Sequence, residues 1–418
     1  MSDKISRRAL GLGAATGLGA VALSPAQPAA AAETWEVVVN GFTDAAVQAA
    51  VSTVLSSTNG NAAQRKLIFP PGVYNLTQPL LRQLDTYTPT QLEGLTIEGA
   101  GISSTRINWN NSTAPFIWAN RPRLRYFTLK GFSFHSGNAN NEWAYIFGDQ
   151  NGWGMNQAWK VSDVEWRGPW LRVFGIDGDA DANLNSEFVL ERIFTQTDCE
   201  FGDAFFRCGG GIRVPDANQQ NQFLNYWVKD SCLTLRSGTV FKFLRGGSLR
   251  VQNGSWSAHT AANRITWFHF PTSNSNNYAV NHLSVRDVRF EPKGPDHKII
   301  DCAWVGGFVS FDNCSEGANQ NLNRHNYHRY ASINQWGFGG VMPSVRYVNC
   351  NLSGYHQYDG PAVARGGITY ESSFFWRGAN AEMANAVAGA EPALRWSSGA
   401  PRYRFTDCFN INNISNFP

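Results

Sequence analysis

The sequence has little net charge, with 35 Lys and Arg against 32 Asp and Glu. Three of the basic residues (Lys4, Arg7, Arg8) and one acidic residue (Asp3) stand at the very start, so the remainder is nearer still to neutral. Such a chain is not built to hold nucleic acid or anionic lipid through bulk charge, and an acidic ligand would need a local patch. A Cys-x-x-Cys pair is also lacking, which removes the commonest zinc and redox spacings. Cysteine is sparse and odd in number, at seven, so not all can pair internally. Six recur in similar contexts: Asp198-Cys199, Ser231-Cys232, Asp301-Cys302, Asn313-Cys314, Asn349-Cys350 and Asp407-Cys408. They read as small buried hydrophobes in a repeated slot rather than as a disulfide scaffold. Hairpin dipeptides are few: past the first strands, Asn-Gly occurs only at Asn151-Gly152 and Asn253-Gly254. That disfavours a β-sandwich built from tight hairpins. No linker or low-complexity tract divides the chain.

What is present begins with an address. Lys4, Arg7 and Arg8 precede an apolar stretch, Ala9–Leu23, and a small-residue tract, Pro28–Ala32. This is the layout of a cleavable signal peptide over 1–32, and the paired arginines match a twin-arginine export signal. The apolar stretch is rich in Gly and short for a bilayer span of about 20 residues. The expected product is a secreted single domain, 33–418, with no membrane or nucleic-acid partner.

Residues 44–57 read as one amphipathic helix, with Asp44 as its N-cap and Val47, Val51, Val54 and Leu55 on one stripe. From Leu95 onward helical periodicity is weak. Short alternating runs take over: Leu95–Glu98, Phe127–Lys130, Trp159–Ser162, Phe188–Glu191, Leu283–Arg286, Val309–Asp312, Val345–Val348 and Tyr403–Thr406. A polar corner and a second short run often follow, as in Ser162-Asp163-Val164-Glu165-Trp166 and Arg286-Asp287-Val288-Arg289-Phe290. Neighbouring landmarks recur at roughly 30 residues, a loose period expected of stacked coils with unequal loops. A coil buries its apolar face only against its neighbours, and each end needs a lid. The helix at 44–57 suits one end, and a second helix is expected over 378–393. The expected class is all-β, a parallel solenoid with an N-terminal capping helix.

The opening stretches Asp44–Val51, Leu67-Ile-Phe-Pro-Pro-Gly-Val-Tyr-Asn-Leu76 and Leu95-Thr-Ile-Glu-Gly-Ala-Gly-Ile102 resemble the start of pectate-lyase-like right-handed parallel β-helix proteins. That superfamily includes polysaccharide lyases, polygalacturonase-type hydrolases and tailspike depolymerases. The likeness covers the first stretch closely and the rest only in repeat style. It implies the fold, a polysaccharide as partner, and a monomer or a homotrimer. The fold hosts several chemistries, so it does not choose among them. The polygalacturonase set of Asn-Thr-Asp, Asp-Asp and Gly-His-Gly is not present.

Three clusters carry candidate chemistry. Asp177, Asp179 and Asp181 alternate like the start of a calcium loop, although the register fails afterwards and a solvated acidic loop is the plainer alternative. Asp198, Glu200 and Asp203 follow, and Asp177–Asp198 and Asp179–Glu200 share a spacing of 21 residues. If that were one coil, the carboxylates would stack roughly 4.8 Å apart, and pairs at such separations serve glycosidases. The third cluster runs from Asn323 to Tyr330 and contains Arg324, His325, Tyr327, His328 and Arg329. Elimination at a uronic acid needs a base, an acid for the leaving oxygen and positive charge for the developing dianion; these residue types supply all three. Lys293 and Arg365 would extend the basic surface. Aromatics make up 13% of the chain, with 15 Trp. Trp143, Trp153, Trp170 and Trp336 are candidates to stack on sugar rings, with burial under loops as the alternative. The first reading is therefore a lyase for an acidic polysaccharide, with a carboxylate-paired glycoside hydrolase second and a non-catalytic carbohydrate-binding module third.

Overall fold

In the computed structural model, residues 35–55, 65–82, 91–119, 123–148, 156–178, 185–213, 222–271, 280–317, 325–334, 339–376, 394–396 and 398–410 are described. All of them belong to the unit Thr34–Pro418, Met1–Glu33 forming another. The leader and the helix expected over 378–393 lie outside the described residues.

Short apolar-alternating segments become strands, and each strand finds its partner about one coil later. Three sheets result, of twenty, ten and four strands among the described residues. In the ten-stranded sheet the spatial order is the chain order, from Ile117–Ala119 through Pro169–Gly178 and Glu200–Cys208 to Leu394–Trp396. Described pairings are parallel except that of Ile333–Asn334 with Gly340–Val348. This is a parallel β-helix, in which inward residues from successive coils meet and form one continuous core.

The polar corner of the sequence is a single column. Asp163, Arg192, Asp230, Asn253, Asp287, Asn313, Asn349, Ser372 and Asp407 all adopt φ between +49° and +56°. Asn and Asp tolerate this left-handed bend better than other non-glycine residues. Their side chains also bond along the stack: Asn253 Nδ2 donates to Asp230 Oδ1 at 2.5 Å and Asn313 Nδ2 to Asp287 Oδ1 at 2.6 Å. Asn313→Val should therefore cost about 1–2 kcal/mol, read as a lowered melting temperature. Asn313→Gly should cost less, because glycine adopts the bend freely.

Immediately after that corner lie Cys314, Cys350 and Cys408, each buried. These three share one slot; Cys199 and Cys302 are buried elsewhere and Cys232 is exposed, so the slot holds half of the expected set. All seven thiols are free.

The helix Asp44–Leu55 buries Val47, Ala50, Val51, Val54 and Leu55 against the N-terminal coil. Its cap differs from expectation. Thr43 Oγ1 accepts from Ala46 N at 3.3 Å, while the Asp44 carboxylate accepts from Thr77 N, Thr77 Oγ1 and Gln78 N instead. Among the described residues no helix is long and apolar enough to cross a membrane.

The core is wide enough for large rings, and this corrects the view of tryptophan as surface. Trp143 and Trp170 are fully buried. Trp143 packs edge-on to Trp166 at 5.5 Å between centroids, and Trp170 donates its indole N–H to Arg167 O at 3.0 Å. Neither can stack on a sugar. Trp153 and Trp336 lie outside the described residues.

Candidate functional site

Outward positions of the long sheet form columns as regular as the core. Register places Asn75 beside Asn108, Asn108 beside His135, and His135 beside Arg167. The adjacent outward column holds Arg106, Ser133 and Glu165. Four coils thus set a polar ladder on one face. A groove of about 530 Å³ runs over it, lined by Asn75, Arg106, Asn108, His135, Arg167 and Asp198, with Trp109 and Leu76 among its apolar lining residues.

The hydrogen bonds fix a proton arrangement. Ser133 Oγ donates to Glu165 Oε2 at 3.0 Å. Its one proton is thereby committed, so the 2.8 Å contact with His135 Nε2 must have the imidazole as donor. The neutral ring then carries its lone pair on Nδ1. Burial pulls the His135 pKa down to about 4, and the Arg106 and Arg167 charges add to the effect. At neutral pH the group is an unprotonated base.

Glu165 is held differently. Burial alone would raise its pKa, but hydrogen bonds from Arg167, Gln196 and Ser133 outweigh it and keep the group below the usual carboxylate range. Arg167 grips it with Nε at 2.7 Å and Nη2 at 3.2 Å, and Gln196 Nε2 donates at 2.5 Å. Arg106 donates through Nε to Asn108 Oδ1 at 2.6 Å, and Asn108 in turn to Asn75 at 2.7 Å. Among the described residues no carboxylate pairs with Arg106.

The residues expected from sequence are dispersed. Asp198 does line the groove. Glu200 pairs at 3.4 Å with Arg236. Asp203 receives Arg172, Arg207 and Lys242 at 2.7–2.8 Å, and these cations overcome burial to hold its carboxyl far below the usual range. Carboxylate stacking at 21 residues does not occur, because one coil here brings Ile176 beside Cys208. Asp177 is buried and accepts backbone N–H groups from Gly178 at 3.0 Å and Ile212 at 2.8 Å. Its oxygens face donors, which is the opposite of a calcium site. Asp179, Asp181 and Arg324 lie outside the described residues.

The third cluster is largely a core strand. Asn326–Ala331 pairs with Tyr355–Asp359, and Tyr327 and His328 are buried. Strand alternation sends His328 inward, so it cannot reach a polymer. Arg329 bridges Asp301 and Asp359, at 3.0 and 2.7 Å. His325 is half-buried, while Lys293 and Arg365 are exposed and away from the groove's lining. A second, smaller groove of about 310 Å³ has Arg402, Arg404, Phe308 and Tyr403 on its walls.

No family model matches the sequence, and no curated protein matches it. Solved structures do resemble it. The A-module of a mannuronan C-5 epimerase from Azotobacter vinelandii is 12% identical, with 90% of this chain and 99% of that one covered, at a TM-score of 0.51. This chain is a right-handed parallel β-helix. The endo-xylogalacturonan hydrolase of Aspergillus tubingensis (10% identity, 88% of this chain, 100% of that one, TM-score 0.41) and the catalytic domain of a GH87 alpha-1,3-glucanase (13%, 91%, 71%, 0.45) also align with the β-helix.

The groove residues Asn75, Arg106, Asn108, His135 and Arg167, and the buried Ser133 and Glu165 that hold them, were not singled out from sequence. A signal exists in Arg106-Ile-Asn108, Ser133-Phe-His135 and Glu165-Trp-Arg167. Each is a polar–apolar–polar triplet, and the last two begin two residues after the left-handed corner positions Gly131 and Asp163. Aligning the coils on their corners stacks the triplets.

Proposed function

We propose that this β-helix is an exported enzyme acting on a uronic-acid-containing polysaccharide, and that it cleaves the chain by β-elimination in the groove over His135. The observation that carries the reading is a neutral imidazole, with its tautomer set by Ser133 and Glu165, lying in the field of two guanidinium groups. The polymer's carboxylate would sit between Arg106 and Arg167, with Asn75 and Asn108 donating or accepting at the sugar hydroxyls. Charge neutralisation there makes the C5 proton removable. His135 Nδ1 takes that proton, and the C5–H electrons pass into the carboxylate. They return to form the C4=C5 double bond as the C4–O bond breaks, and the leaving oxygen acquires a proton from the imidazolium or from solvent. An anionic substrate also cancels the two charges that weaken His135, so the base gains strength on binding.

A two-carboxylate hydrolase is less well supported. It needs one carboxyl that can be protonated, and Glu165 is held ionised by three donors. The mannuronan epimerase, by its printed name, inverts C5, and inversion begins with the same proton abstraction. The leader at 1–32 would export the enzyme by the twin-arginine route, and 33–418 would be its single catalytic domain.

The test is to incubate 33–418 with polymannuronate, polygalacturonate and a neutral glucan. Elimination yields an unsaturated uronide absorbing in the ultraviolet; epimerisation changes the anomeric proton signals without new chain ends. New reducing ends without ultraviolet absorbance would overturn the elimination reading, and activity confined to the neutral glucan would overturn the uronate assignment.

A further inference from the structure

We propose that Glu316, His328 and His356 form a buried binding site for one zinc-class divalent cation inside the solenoid core. All three are at most 5% exposed, and one ligand-type atom from each lies within 4.8 Å of the others. Two coils place His328 beside His356, their ring centroids 4.0 Å apart, and Glu316 enters from the neighbouring long sheet.

The surroundings are otherwise aromatic. Phe311, Tyr347, Tyr370 and Phe405 stack on successive coils at 4.7–5.2 Å between centroids. An ionised carboxylate among these rings is costly without a compensating charge. The two hydroxyls of that stack meet the histidines: Tyr347 OH lies 2.8 Å from His328 Nδ1, and Tyr370 OH lies 2.8 Å from His356 Nδ1. Metal-binding histidines commonly donate their second N–H to an oxygen that fixes the ring and tautomer. If both Nδ1–H groups donate here, both Nε2 atoms present lone pairs. The 2.7 Å contact between His328 Nε2 and Glu316 Oε1 is then a hydrogen bond whose proton sits on Glu316. A cation would displace that proton, and the two side chains would part to roughly 3.3 Å to take it at ordinary zinc distances. The other carboxylate oxygen is fixed by Ser353 N at 2.7 Å, so the group is already oriented.

Two imidazoles and a carboxylate suit zinc and its first-row neighbours rather than calcium or magnesium. Such a cation would take three protein donors and leave a fourth position for water. It would also tie three strands from two sheets together. Because the site is enclosed, the ion would enter during folding and exchange slowly afterwards.

The 33–418 protein should be unfolded, stripped with chelator and refolded with Zn2+, with Co2+ or with chelator alone. After native dialysis against chelator, about one equivalent of metal per chain should remain, and the Co2+ form should show tetrahedral visible absorption. His356→Gln should lower retention by about tenfold or more, while His259→Gln, on the surface, should not. If His356→Gln fails to fold, the Co2+ spectrum of the unaltered protein still decides. Wild-type protein that refolds with negligible metal and the same melting temperature in all three conditions would assign the contact to a protonated Glu316. Loss of metal in His259→Gln but not in His356→Gln would equally overturn the proposal.

Discussion

His135→Ala should lower turnover of a uronate polymer by about 100- to 10,000-fold, the usual contribution of a positioned general base, while leaving the solenoid folded. The residue faces outward on Thr128–Ser136, and the Glu165–Arg167–Gln196 contacts beneath it do not depend on the ring. The pH dependence follows from the sign of its shift. Burial and the two arginines hold the native group near 4, below the ordinary histidine value, so the base form persists as pH falls and is lost only near that point. The acid limb of kcat/KM in wild type should lie at that low pH, with no inflection near 6.5. Stability carries the same sign: below about 6.5 the unfolded chain takes a proton that the native ring refuses, so acid favours unfolding. Ser133→Ala should act as a positioning change. Without the serine, Nε2–H loses its acceptor, and the acid limb should move as well as the rate. Undiminished activity in His135→Ala, with product formation intact across the pH range, would remove this groove from consideration.

Asp203→Ala should be the most damaging substitution for stability, at about 3–5 kcal/mol. One carboxylate there faces Arg172, Arg207 and Lys242, and Glu142 nearby takes Arg172 and Arg213 at 3.0 and 2.5 Å. Removing Asp203 leaves three cations crowded on a nearly enclosed surface with one counter-charge. The native carboxyl is held far below its ordinary value, so its contribution is complete above about pH 4 and falls away as pH drops below that. Melting temperatures from pH 7 to pH 3 should therefore show a wide gap between wild type and variant that narrows in acid. A gap under about 0.5 kcal/mol at pH 7 would mean the cluster is only a screened surface network. The same geometry explains why Asp203 is not a base: a carboxylate held by three cations has little affinity for a proton.

The fold was legible because its causes are local and repeated. Alternating runs such as Phe188–Glu191 and Val345–Val348 name strands, and Asp163, Asp287, Asn313 and Asn349 mark bends that ask for a left-handed backbone. The site was less legible because loops between coils differ in length. The 21-residue spacing from Asp177 to Asp198 was mistaken for one coil, although the strand register advances by about 30 residues. The Arg324–Arg329 cluster offers every residue type that elimination needs, yet alternation within Asn326–Ala331 sends His328 and Tyr330 inward, where Tyr330 and Tyr347 hydroxyls and Glu316 satisfy the polar atoms. Similarly, Trp143 and Trp170 beside polar neighbours looked exposed, but three sheets enclose more volume than a two-sheet sandwich of the same strand length would suggest.

Residue order was enough to establish coiling, the capping helix and the polar corners, since each depends on neighbours within one coil. Which polar side chains share a groove depended on register between coils, and register is a property of stacked backbones. Asn75, Asn108, His135 and Arg167 lie about 30 residues apart in the chain and one strand spacing apart in space. Loop lengths set that correspondence, and no short motif records it.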